Sequence, residues 1–298
     1  MNLMRNYTTV LTIAGSDGSG GAGIQADLKA IAANSCYGLS IITAVTAQNT
    51  IGVRSIHEIP PAFIAKQFET IVDDMHIDAI KIGMLGSPEV AETVMRLIES
   101  LDDVLPVILD TVLRSSSGKA LFDVQNMESM KRLFSRASLI TPNLPEAALL
   151  TGRDKAPGSR AEIEKMAEEL RQQGAPSVLV KGGHGEGGNC DDCLLHEGKF
   201  FWYSNPKIDT INTHGTGCTL SSAIACGVAK GLPMNEAVAS AIDYTRKALE
   251  AGASWRLGNG NGPLEHFPGR HVENRPGGIG SIKQISAPDG DGGLWSNS

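Results

Sequence analysis

Short apolar runs alternate with amphipathic stretches through the first two-thirds of the chain. The runs at 10–14, 40–45, 79–82, 107–110, 138–140 and 177–180 are strand-sized, and several are continuously apolar, as strands covered on both faces are. Between them, the stretches near 22–34, 61–74, 88–100, 126–135 and 159–173 carry apolar residues at helical spacing. This alternation predicts an α/β fold with a mostly parallel sheet and helices on both sides. Two further runs, 193–196 and 200–203, are joined by Glu197-Gly198-Lys199 and read as a hairpin appended to the sheet. After Thr210 the pattern turns helical over 220–230 and 235–251, where Val238, Ala241, Ile242, Thr245 and Leu249 form an apolar stripe. From 268 to 298, Gly, Pro, Ser, Asp and Asn dominate. That composition predicts a disordered tail, with the globular part (1–267) ending near Phe267.

Composition narrows the function classes. Hydrophobic residues at 41% and charged residues at 20% are ordinary for a globular chain of 298 residues. The balance of 26 basic against 33 acidic residues, net −7, argues against a general nucleic-acid or membrane-surface binder. No apolar run approaches the ~20 residues of a membrane-spanning helix, and the first ten residues lack a signal-peptide core. Five cysteines are too few and too scattered for a disulfide framework, which points to a reduced, cytoplasmic setting.

The first predicted strand runs into a glycine-rich loop, with Gly15, Gly18, Gly20, Gly21 and Gly23 falling within nine residues. Gly18, Gly20 and Gly23 match G-x-G-x-x-G between a strand and a helix, the setting of a dinucleotide-binding loop. Such a loop also needs an acidic residue at the end of the second strand. The stretch 40–50 has none and ends in Gln48-Asn49, which disfavours a dinucleotide-dependent oxidoreductase. A loop that lets a ligand approach the backbone closely remains. In the helix that follows, Asp27 falls on or beside the apolar stripe of Ile24, Leu28 and Ile31. A carboxylate there needs a partner, either a ligand or a neighbouring loop that it caps.

A second glycine cluster, Asn212 to Ser222, leads from a loop into a helix. Successive amides at a helix start, reinforced by the macrodipole, form an anion site suited to phosphate. Cys218 sits at this N-terminus, where a thiol is expected to ionise more easily and could accept a proton from a hydroxyl. Position alone leaves a small buried filler equally open. Polar groups also gather where three strands end: Asp110-Thr111, Asn143 with Glu146, and Lys181-Gly182-Gly183-His184. Carboxylates on neighbouring strand ends can hold Mg²⁺ against phosphate oxygens, and a lysine beside them can neutralise phosphate. Glu146 can equally be a first-turn helix charge. Cys190-Asp191-Asp192-Cys193 is a lone C-x-x-C before a hairpin, a setting that favours neither zinc nor redox chemistry.

Taken together, AGSDGSGGAGIQADLKAI, ITAVTAQNTIGV, IKIGMLGS, VILDTV, SLITPNLPEA, VLVKGGH, NTHGTGCTLSSAIA and GPLEHF, in this order, resemble the ribokinase superfamily. Within it they resemble the bacterial bifunctional hydroxymethylpyrimidine/phosphomethylpyrimidine kinases of thiamine biosynthesis. The resemblance implies a three-layer α-β-α sandwich, ATP with Mg²⁺, and a homodimer. It places a pyrimidine pocket at Gly15, Asp27, Gln48 and Met84. It makes Gly215, Thr216 and Gly217 an anion hole with Cys218 as catalytic base, sets Asn143, Lys181 and Thr213 near the ATP phosphates, and sets Asp110 and Glu146 near Mg²⁺. The expected reaction is transfer of the ATP γ-phosphoryl to 4-amino-5-hydroxymethyl-2-methylpyrimidine and then to its monophosphate. A pyridoxal kinase of the same superfamily and a non-catalytic pyrimidine binder are the rivals. Asp110-Thr111 replaces the family's Asp-Pro, and Arg114 to Gly118 replaces a flap with shorter side chains.

Overall fold

The computed structural model describes residues 6–113, 121, 127–183 and 188–269. One nine-stranded sheet runs through the compact unit Met1–Pro268. Its strands are β1 Thr9–Asp17, β2 Tyr37–Asn49, β3 Gly52–Glu58, β4 Ala79–Ile82, β5 Val107–Leu109, β6 Leu139–Ile140, β7 Val178–Val180, β8 Asn189–His196 and β9 Lys199–Pro206. They lie in the order β3-β2-β1-β4-β5-β6-β7-β8-β9. The pairs from β2 through β1 and β4 to β7 are parallel, whereas β3, β8 and β9 pair antiparallel.

Strand residues alternate between two cores. Leu11, Ile13, Ile80, Ile82, Val107 and Leu109 face one, which is covered by helices α2 Pro61–Val72, α3 Pro88–Glu99, α4 Met127–Arg132, α5 Leu144–Leu150 and α6 Arg160–Gln172. Val10, Ile108, Leu139, Leu179 and Leu194 face the other, beneath α1 Gly23–Ala33, α7 Thr216–Ala229 and α8 Met234–Gly252. The result is the predicted α-β-α sandwich, and the doubly covered strands explain the continuous apolar runs. Each predicted strand and helix forms, with shifted ends.

Two elements had no clear pattern. β3 carries Arg54, His57 and Glu58 on a largely exposed edge, where charge discourages pairing with other chains but leaves no apolar alternation. Helix α5 has seven residues, too few for a periodic stripe, and is held by a reciprocal cap between Asn143 and Glu146. The replaced flap Arg114–Gly118, the loop from His184 and all of the predicted tail beyond residue 269 lie outside the described residues. No helix among the described residues is long and apolar enough to cross a membrane.

Strand order reverses beside β1, because β2 lies on one side of it and β4 on the other. Open parallel sheets leave a crevice at the carboxyl ends of strands at such a switch point. Gly15–Asp17, Gly83–Met84, Asp110, Asn143 and Lys181 all end or follow strands on this edge.

Candidate active site

A cavity of about 800 Å³ occupies this edge, at the upper end of the ~300–1,000 Å³ usual for small-molecule sites. Gly15, Gln48 and Met84 line it, as do Asp110, Asn143, Glu146 and Lys181. Thr213, Gly215, Thr216, Gly217 and Cys218 border it from the head of α7. Lys207, Ile208, Thr245, Arg246 and Leu249 form further parts of its wall.

The two glycine clusters pack against each other. Gly215 has φ +85°, and a Cβ on it would sit 1.8 Å from the Gly21 carbonyl oxygen. A Cβ on Gly21 would meet the His214 ring at 2.5 Å. These glycines therefore let two backbones meet, and a loop binding a dinucleotide is not needed to account for them. At the other wall, a Cβ on Gly15 would lie 3.1 Å from Met84 Sδ.

Asp17 ties the first loop together. Its carboxylate accepts from Ser19 N (2.9 Å), Ser19 Oγ (2.7 Å) and Ala22 N (2.9 Å), and His214 Nε2 lies 2.8 Å from Oδ2. Burial opposes its charge, but the bonds from His214 and Ser19 win and bring Asp17 down to about 2. Gln48 reaches the same imidazole at 3.2 Å.

The structure corrects the placement of Asp27. It does not line the cavity and its side chain is 0% exposed. Lys81 Nζ donates to both its oxygens (2.9 and 2.8 Å), and Thr12 Oγ1 (2.6 Å) and Ser222 Oγ (2.9 Å) donate to them as well. No capacity is left for a pyrimidine ring, so the carboxylate serves the interior. Its partners are Lys81 and two hydroxyls rather than the amides of a neighbouring loop. Lys81 itself lines the cavity. Burial disfavours its charge, yet Asp27 holds the ammonium above the ordinary lysine range. A lone lysine inside the apolar run Ala79-Ile80-Lys81-Ile82 was the signal for this pair.

The expected ease of ionisation at Cys218 is also reversed. The thiol is only partly covered, but burial is still the largest influence, and Asp27 and Asp110 add to it. Lys81 and the Gly23 amide oppose without winning, so the thiol is pushed up to about 11. The helix start alone does not produce a thiolate here.

Lys181 donates to Asp110 Oδ1 at 2.7 Å, and Thr141 Oγ1 donates to the same oxygen at 3.0 Å. Burial resists the Asp110 charge, while Lys181 and Lys81 hold it below the usual carboxylate range. A Cβ on Gly217 would lie 3.2 Å from Lys181 Nζ and 3.4 Å from Asp110 Oδ2, so this first-turn glycine sits directly over the pair. Glu146 accepts from Asn143 N (2.9 Å) while Asn143 Oδ1 accepts from Glu146 N (2.9 Å). The first-turn reading of Glu146 therefore holds, although both residues also line the cavity. Burial, reinforced by Asp110, pushes Glu146 up to about 7.

The described residues contain no group of three or more His, Cys, Asp or Glu able to hold a metal. A closed protein cage for a metal is therefore absent among the described residues, and Asp110 and Glu146 are carboxylates that line the cavity. In the C-x-x-C, Cys193 is buried in the core and Cys190 lines the cavity.

The family model for phosphomethylpyrimidine kinase matches residues 17–265. A hydroxymethylpyrimidine/phosphomethylpyrimidine kinase of Rhizobium meliloti is 42% identical over 259 residues, covering 86% of this chain and 96% of that protein. The thiamine biosynthesis bifunctional protein ThiED of Geobacter sulfurreducens is 43% identical over 262 residues. The chain spans 52% of that protein and 35% of a multifunctional ThiED from Corynebacterium efficiens. Among solved structures, a Clostridium difficile phosphomethylpyrimidine kinase aligns with TM-score 0.71 and 38% identity over 81% of this chain and 99% of that one. An ADP complex of Bacillus subtilis pyridoxal kinase aligns with TM-score 0.80 and 31% identity, covering 88% of this chain and 98% of that one. With this match over most of its length, and a ribokinase-like sheet that brings two glycine loops and three polar strand ends to one cavity, the chain belongs to the phosphomethylpyrimidine kinase family of phosphotransferases.

Proposed function

We propose that the protein transfers the γ-phosphoryl group of ATP to 4-amino-5-hydroxymethyl-2-methylpyrimidine and then to its monophosphate. One observation carries this reading. The glycine-headed start of α7 lines the same cavity as Gly15, Gln48 and Met84, with Gly217 set over the Asp110–Lys181 pair. Phosphate-binding and ring-binding groups thereby share one chamber.

Loose phosphoryl transfer needs positioning and charge stabilisation more than covalent help. The amides of Gly215, Gly217 and Cys218 at the head of the α7 dipole receive negative charge that develops on the moving group, while the Thr216 amide is held by the Thr213 carbonyl at 3.2 Å and shapes the turn. Lys181 and Asn143, with Thr213, address the phosphates of ATP. When bound, Mg²⁺ neutralises phosphate oxygens, and Asp110 and Glu146 are the carboxylates available to it. Gln48 contacts the pyrimidine edge and Met84 its face. Cys218 takes the hydroxyl proton in its ionised fraction, which the thiol's position near 11 keeps small. The anion loop and the lysines therefore supply most of the acceleration. A homodimer and a cytoplasmic setting belong to the same reading, as does a globular kinase unit ending at residue 267.

The likeness to pyridoxal kinases supports a second reading, since pyridoxal also carries a ring hydroxymethyl group. A coupled ATP-consumption assay on the pyrimidine, its monophosphate and pyridoxal separates the two. Turnover of the first two is expected. A higher kcat/KM on pyridoxal would transfer the assignment to the second reading, and no phosphorylated product from any of them would end both.

A further inference from the structure

His214 and Asp17 come from the two glycine clusters, 197 residues apart, and both side chains are nearly covered, at 7% and 4% exposure. The imidazole Nε2 lies 2.8 Å from Asp17 Oδ2 and 3.2 Å from the Gln48 amide nitrogen. These neighbours make opposite demands. A carboxylate accepts only, so Nε2 must carry a proton toward Asp17, whereas an amide nitrogen donates and would need Nε2 bare. The Asp17 carboxylate is ionised at neutral pH and takes three further bonds from Ser19 and Ala22, so it does not yield.

Rotating the Gln48 amide by half a turn resolves the conflict. Its oxygen then faces the imidazole N–H, and its NH₂ turns toward Thr46 Oγ1, which is 3.3 Å from the other end of the amide. Thr46 is ready for this, because its single hydroxyl proton is committed to the Ser16 carbonyl at 2.9 Å and its lone pairs can accept. Thr46 can take one of the two Gln48 protons, which leaves the other for the cavity that Gln48 lines.

We infer that Asp17 and His214 are positioning residues that hold the Gln48 amide with its NH₂ toward the cavity, so that the site selects rings presenting a bare, hydrogen-bond-accepting nitrogen. The inference rests on Gln48 being a ring contact.

Long-range ¹H–¹⁵N spectra of the full chain should show His214 as the Nε2–H tautomer, and an Nδ1–H tautomer would overturn the inference whatever the variants do. Asp17→Asn should raise the KM for the pyrimidine about tenfold, the scale of one misdirected hydrogen bond, while kcat and the KM for ATP change less than about twofold. In a Gln48→Ala background the same substitution should add nothing to the pyrimidine KM. Additive effects would show that Asp17 acts through the loop fold and not through Gln48. His214→Asn, which leaves the Ser19 and Ala22 bonds in place, should reproduce the split. An unchanged pyrimidine KM in Gln48→Ala alone would instead remove Gln48 as a ring contact, a failure distinguishable from additivity.

Discussion

At the residue scale, Asp27 and Cys218 show how burial redirects chemistry that local sequence suggests. Asp27 has no exposed surface and spends its oxygens on Lys81, Thr12 and Ser222. Removing one member of a buried ion pair leaves the other charge uncompensated, at a cost of about 3–5 kcal/mol. Asp27→Asn should therefore lower Tm by roughly 10 °C in calorimetry, with pyrimidine affinity per folded molecule changed little. A small Tm change with selective loss of pyrimidine binding would return Asp27 to the ligand site. For Cys218, a thiol near 11 makes the ionised fraction grow tenfold per pH unit through neutrality. Log kcat should rise with pH from about 6.5 to 9.5, and Cys218→Ala should leave a lower, pH-independent rate. A flat wild-type profile would remove Cys218 as proton acceptor.

At the scale of elements, the start of α7 is built by a collision avoided. Gly215 needs both its positive φ and its missing Cβ, because Gly21 occupies the space a side chain would take. Gly231 has nearly the same φ, +82°, but nothing within 4 Å. The two positions separate backbone strain from close approach. Gly231→Ala should cost about 1–2 kcal/mol of stability and leave kcat unchanged. Gly215→Ala must push the anion loop off the first glycine loop, and kcat should fall by roughly 100-fold or more, the scale of losing oxyanion-type donors. Equal kcat in the two variants would mean that contact between the loops does not matter for turnover.

At the scale of the whole molecule, buried ionisable groups of opposite behaviour share the pH range. Burial, helped by Lys29, pulls His266 from 6.5 down to about 4. The unfolded chain takes up that proton first, so stability falls as pH drops from 6.5 to 4. Glu146 is raised from 4.5 to about 7, so the folded chain keeps a proton that the unfolded chain releases, and stability falls as pH rises through that window. The two slopes offset between about 4.5 and 6.5, each on the order of 3 kcal/mol at full extent. Asp192, which burial also raises, adds to the Glu146 side, so each variant is read relative to the wild-type slope. His266→Asn should show Tm falling with rising pH, and Glu146→Gln should show it rising. Matching slopes in the two variants would contradict these environments. Below pH 4, Asp17 adds a further loss as it protonates toward about 2.

Periodicity in the chain determined the layers, because a doubly covered strand must be apolar on both faces and a helix on one. Local chemistry likewise marked the two glycine clusters, the polar strand ends and the first-turn charge of Glu146, since each lies within a few residues. It missed β3 and α5, whose exposure and brevity leave no periodic trace. What only the tertiary structure decided concerns partners distant in sequence. Asp27 meets Lys81 and Ser222, and Asp17 meets His214, across separations of 54, 195 and 197 residues. Glycine positions alone cannot say whether a loop faces a dinucleotide or another loop, because the missing side chain is the same in both cases. Nor can a helix start set the state of Cys218, because desolvation and the carboxylates around it arise only once strands and helices close over the same space.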